Sequence, residues 1–114
     1  MTSSPAATWH DVCAAHELQL DRGVCALVDG RQVAIFRVSP DGQLYAIGNA
    51  DPFSGANVLS RGIVGTIAEA PMVASPVYKQ RFDLRTGASL EDPSVAVPVY
   101  EVRLVGERVE VAVP

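Results

Sequence analysis

Toward its C-terminus the chain reads VRLVGERVEV from 102 to 111, with apolar and charged residues alternating as they do along a half-buried strand. If Gly106-Glu107 forms a two-residue turn, Leu104 faces Val109 and Val102 faces Val111 on one side, while Arg103 lies opposite Glu110 on the other. The pattern predicts an antiparallel hairpin with one apolar face and one ion pair. A second hairpin is predicted over GVCALVDGRQVAIFRV, residues 23–38, where Asp29-Gly30 suits the positive backbone angles of a tight turn. Both faces of these strands are apolar, which predicts cover on each side, and Cys25 reads as a small buried side chain within the run. A third turn, Ser39-Pro40-Asp41-Gly42, leads into QLYAIG. A short first strand is predicted from Thr8 to Val12 and one or two helical turns between Ala14 and Leu20. No window holds a sustained helical period, so the class is all-β.

From Gly48 to Pro98 the pattern changes. Gly, Pro, Asn, Asp and Ser interrupt the chain every few residues, so the intervening strands must be short. Two loops stand out, GNADPFSGANVLSRG and ASPVYKQRFDLRTG, and long loops on a rigid β frame commonly carry function. At 114 residues the chain suits one domain, predicted over 8–114 after a flexible start at 1–7. A net charge of −4 with a single lysine, Lys79, offers no footprint for nucleic acid. No apolar run approaches the roughly 20 residues of a membrane helix. The N-terminal MTSSPAATWHD lacks the basic start and apolar stretch of a secretion signal, so a cytoplasmic location is expected, with Cys13 and Cys25 as free thiols.

The two loops resemble the cluster-binding half of Rieske iron-sulfur domains. In that family a first loop carries Cys-x-His ahead of Gly-Ala-x-Leu-Ser-x-Gly, and a second carries Cys-Pro-x-His ahead of Phe-Asp-Leu-x-Thr-Gly. The frame residues are present here as Gly55-Ala56-Asn57-Val58-Leu59-Ser60-Arg61-Gly62, one residue longer between alanine and leucine, and as Phe82-Asp83-Leu84-Arg85-Thr86-Gly87. The downstream VPVYEVRL fits the closing strands of the same family. The resemblance implies a domain of small antiparallel sheets with two loops projecting from one end.

At the ligand positions the resemblance stops. Asp51 and Phe53 stand where the first Cys and His belong, and Ser75 and Tyr78 stand where the second pair belongs. A Rieske centre needs two thiolates on one iron and two imidazoles on the other, and none of these four residues supplies either. The departure is itself a pattern: DPFSGANVLSRGIVG and SPVYKQRFDLRTG are similar to the small subunits of assimilatory NAD(P)H-dependent nitrite reductases. That family implies a large catalytic subunit with FAD, sirohaem and an iron-sulfur cluster that reduces nitrite to ammonium. It also implies a small subunit that carries no cofactor, does not catalyse alone and serves as an accessory to the large one. Two alternatives remain open on the sequence: a Rieske ferredoxin-like electron carrier, and a free-standing adaptor of Rieske descent.

The remaining candidates divide between structure and binding. Asp51, Ser75 and Tyr78 are expected to hydrogen-bond across the gap between the loops, with a carboxylate accepting from the phenol and Phe53 as an apolar plug. His10, Cys13 and His16 have the residue types of a zinc site, but their spacing matches no finger arrangement; His10 is expected to face solvent. Trp9 reads as mostly buried, and Tyr45 and Tyr100 as packing residues with their hydroxyls at the rim. Asp83 is expected to accept backbone hydrogen bonds in a turn closed by Gly87 at a positive angle. Phe53 and Tyr78, rimmed by Lys79, Arg81, Arg85 and Arg61, have the makeup of a docking patch for the large subunit.

Overall fold

The structure, a computed structural model, describes residues 8–113; the segment 1–7 and Pro114 lie outside the described residues. Strands β1 (Thr8–Ala14), β2 (Arg22–Val28), β3 (Arg31–Val38), β4 (Gln43–Gly48), β8 (Val99–Val105) and β9 (Arg108–Val113) form one antiparallel sheet in the order β1-β9-β8-β4-β3-β2. The sheet curls until β1 returns beside β2 and encloses one core of Leu18, Val28, Val33, Ile35, Ala46, Val109, Val111 and Val113. The short strands β5 (Ile63–Ile67), β6 (Ala70–Ala74) and β7 (Arg81–Asp83) make a second antiparallel sheet in that order. A second core fills the space between the outer face of β3 and β4 and the small sheet. Phe36, Ile47, Leu59, Val73, Phe82 and Leu84 meet there, all fully buried.

The alternation of side chains along β3 accounts for both layers. Val33 and Ile35 point into the curled sheet while Ala34, Phe36 and Val38 point toward the small one, so every second residue serves a different core. Burying a ring such as Phe36 or Phe82 completely contributes roughly 2–3 kcal/mol each, which is why the second layer stays attached. The cover predicted for both strands of this hairpin is complete only on β3; on β2 it reaches the first residues, where a Cβ on Gly23 would collide with the Ser60 carbonyl oxygen. Farther along β2 the outward face is open, and Leu27 is 74% exposed. Cys25, predicted to be buried, is exposed for the same reason.

The hairpins have the expected registers. Leu104 pairs with Val109, Val102 with Val111 and Arg103 with Glu110, whose carboxylate lies 2.7 Å from the guanidinium. Val28 pairs with Arg31 across Asp29 and Gly30, both at positive φ. Strand β1 runs two residues beyond the predicted end, and a single 3-10 turn at Ala15–Glu17 follows it. Trp9 is half-buried beneath Arg103, whose guanidinium carbon stands 3.9 Å from the ring centroid. Tyr45 and Tyr100 are half-buried against the two cores, as their packing role requires. His10 is half-buried too, and its Nε2 is buried without a partner, where a solvent-facing ring was expected. No helix among the described residues is long and apolar enough to cross a membrane.

Candidate functional site

Three loops at the small sheet share one hydrogen-bonding scheme. In the first, the Asp51 carboxylate accepts from the Phe53 N–H at 2.8 Å, the Gly55 N–H returns to the Asp51 carbonyl at 2.7 Å, and the Asp51 N–H reaches the Ala56 carbonyl at 2.8 Å. In the second, the Ser75 hydroxyl accepts from the Val77 N–H at 3.2 Å, Lys79 returns to the Ser75 carbonyl at 3.1 Å, and the Ser75 N–H reaches Gln80 at 2.9 Å. The third repeats the pattern from Asp83, through Arg85 at 2.8 Å, Gly87 at 2.7 Å and Ala88 at 2.9 Å. In each, an oxygen-bearing side chain replaces a carbonyl as the first acceptor, and a left-handed residue four positions on closes the ring. That residue is Gly55 at φ 78°, Lys79 at φ 66° and Gly87 at φ 81°. The expected roles of Asp83 and Gly87 are thus observed.

The first two loops are joined through their leading residues. Ser75 Oγ donates to Asp51 Oδ2 at 2.5 Å, and both residues are fully buried. The carboxylate therefore has one oxygen on its own loop and the other on the neighbouring loop. Tyr78, expected to supply that donor, does not join them: the chain reverses at Lys79 and the tyrosine stands 62% exposed at the tip. Phe53 is half-buried against Phe82, with ring centroids 6.0 Å apart, and packs on the second core.

Two further residues hold the first loop in place. Asn49, 2% exposed, accepts from the Ser60 N–H at 2.7 Å and donates to Gln32 at 3.1 Å, while its carbonyl accepts from Leu59 at 3.0 Å. The only mark of this role in the sequence is a polar residue directly after an apolar strand. Gly62 lets the loop return against β6, because a Cβ there would collide with the carbonyl oxygen of Ala74.

The predicted basic rim is only partly free. Arg81 is paired with Glu91 at 2.6 Å, and that contact, led by the Arg81 N–H, holds the Glu91 carboxyl below the usual range. Arg85 lies elsewhere: β7 runs away from the tip, pairing Ala74 with Arg81 and Met72 with Asp83, so Arg85 emerges at the far end. There it lines a groove with Tyr45 and Tyr100 and is paired with Asp83 at 3.0 Å. Hydrogen bonds from its guanidinium lower the Asp83 carboxyl, although burial opposes them. Arg61 lines a cleft with Arg22 between β2 and β5. Beside Phe53 and Tyr78, the remaining free charge at the tip is Lys79, which also reaches the Pro76 carbonyl at 3.3 Å.

A [2Fe-2S] centre of the Rieske type does not fit this donor set. The four positions offer a carboxylate, a phenyl ring, a hydroxyl and a phenol, and the two buried oxygen groups already satisfy one another. Among the described residues no three His, Cys, Asp or Glu side chains gather as metal ligands, His10, Cys13 and His16 included.

A curled antiparallel sheet with a small second sheet and paired loops defines a Rieske-like domain, and the match to the Rieske-like [2Fe-2S] domain family runs over residues 8–112. The nitrite reductase (NADH) small subunit of Escherichia coli K12 is 44% identical over 84% of this chain and 89% of its own length. A solved Mycobacterium tuberculosis structure, described as an NADH-dependent nitrite reductase small subunit, is 49% identical and superposes with a TM-score of 0.92. It covers 96% of this chain and 97% of its own. A segment amounting to 10% of the Klebsiella oxytoca nitrite reductase [NAD(P)H] large subunit is 38% identical over 88% of this chain. The chain belongs to the nitrite reductase small subunits within the Rieske-like family, as its loop motifs imply.

Proposed function

We propose that this chain is the non-redox accessory subunit of a cytoplasmic, assimilatory nitrite reductase, binding and stabilising a large subunit that reduces nitrite to ammonium with electrons from NADH or NADPH. The observation that carries the reading is the Asp51–Ser75 hydrogen bond at the positions where a Rieske domain holds iron. The bond supports a brace and offers no relay, since neither group changes oxidation state. The Klebsiella oxytoca large subunit, which contains a segment like this chain, supports a partner of that kind. In this account Phe53 and Tyr78 are the anchors of the docking surface and Lys79 its free cation, with the Arg81–Glu91 pair at the rim.

Co-expression of the chain with the large subunit of its own host tests the proposal. The expected result is recovery of both chains together and a large subunit that loses activity faster on storage when its partner is omitted. A large subunit of equal yield, stability and turnover without this chain contradicts it.

A further inference from the structure

The free edge of β5 matches itself. It ends the small sheet, paired among the described residues only with β6, and its sequence Ile63-Val64-Gly65-Thr66-Ile67 contains neither the lysine nor the proline that commonly blunts an exposed edge. Ile63 is 71% exposed and Ile67 38%. Gly65, between them, weakens a strand for no reason within this chain. The other described glycines either have positive φ or stand where a Cβ would press on a neighbour. Gly65 has ordinary backbone angles, and a Cβ there would meet nothing nearer than the flexible Met72 sulfur at 3.4 Å. A mid-strand glycine of this kind often marks a bulge, a tight bend or a place where a ligand or another backbone comes close, and the β5–β6 register has no bulge.

Charge is arranged about the same point. Past Ile63, an open cleft of about 400 Å³ carries Arg22 and Arg61; its one carboxylate, Asp21, is held by the Ser39 N–H and hydroxyl at 2.9 and 2.7 Å. Beside Thr66, between the end of β5 and the Ser39–Asp41 turn, a second of about 300 Å³ carries Asp41 and Glu69. Asp41 accepts from the Gln43 N–H at 3.2 Å, and none of Arg22, Arg61, Asp41 and Glu69 forms an ion pair among the described residues. Arg61 and Glu69 each lie four positions from Gly65, and Ile63 and Ile67 each lie two.

We propose that a second copy of this chain pairs antiparallel along β5 about a two-fold axis at Gly65. The two small sheets then become one of six strands. Ile63 of each copy packs beside Ile67 of the other, and each basic cleft receives the acidic end of its neighbour. Such an interface is isologous, the same patch on both chains. One strand pair and four isoleucines make a small contact, so the dimer is weak and depends on concentration.

Sedimentation of the full chain over a wide concentration range at low salt reads this directly. The expected mass rises from 12.1 kDa toward twice that value. Ile63→Lys, at an exposed position, is expected to weaken the dimer at least ten-fold while circular dichroism stays unchanged. Arg61→Glu and Glu69→Arg are each expected to weaken it several-fold, and their combination to recover it. A chain that stays monomeric to concentrations on the order of 1 mM overturns the proposal. A dimer indifferent to these substitutions also overturns it. Protection of β5 amides from hydrogen exchange only when the large subunit is added, with the chain alone monomeric, assigns the edge to a partner strand and overturns it likewise.

Discussion

Ser75 Oγ donates to Asp51 Oδ2 at 2.5 Å, joining two loops that have the same internal hydrogen bonds and are separate in sequence. Because both residues are fully buried, the bond cannot be exchanged for one to water. Ser75→Ala leaves a buried carboxylate short of a donor, and the expected loss of stability is about 1.5–3 kcal/mol. Urea unfolding of Ser75→Ala, Asp51→Ala and the double variant gives the coupling. A double variant that loses clearly less than the sum of the singles is the expected outcome.

Lys79 and Gly87 test the scheme the three loops share. Lys79 takes φ 66°, where glycine is at ease, so Lys79→Gly is expected to stabilise the fold or leave it unchanged, with a gain of up to about 1 kcal/mol. Gly87→Ala meets the opposite situation, because its Cβ would collide with the Val97 carbonyl. Gly55, at a similar φ of 78°, has open space around it. The expected order in thermal unfolding is a mild loss of about 1 kcal/mol for Gly55→Ala and a clearly larger one for Gly87→Ala.

Asp83 links stability to pH. Hydrogen bonds from Arg85 place its folded carboxyl below its unfolded value of 3.8. Its contribution is therefore fully present above that unfolded value and is lost as pH falls through the lower folded one. Asp83→Asn is expected to reduce stability at neutral pH and to flatten the acid limb below about pH 4, read by urea midpoints across pH.

Tyr78 separates docking from folding. It is 62% exposed and has no hydrogen-bonded partner among the described residues, so Tyr78→Ala is expected to leave the unfolding midpoint unchanged. Affinity for the large subunit is expected to fall at least ten-fold, the size of a loss at a binding anchor. Phe53→Ala is expected to lower both quantities, because that ring also packs on Phe82.

The hairpins were legible because alternation and a two-residue turn are local: Arg103 opposite Glu110 follows from counting. The exposure of Cys25 and Leu27 was not legible, since an apolar face records that cover is wanted and not how far the second layer extends. The spacing of Tyr78 from Ser75 follows the family pattern and so points it into the gap. A lysine at positive φ then turns the chain outward, which composition does not reveal. Sequence proximity groups Arg85 with the tip, but the direction of the three-residue strand β7 carries it to the other end.

Iron and acid-labile sulfide, measured on the chain purified alone after expression with an active cluster-assembly system, decide whether Asp51, Phe53, Ser75 and Tyr78 leave the domain without a cluster. Neither is expected above background, and the spectrum is expected to lack visible absorption. Two irons and two sulfides per chain would contradict that expectation.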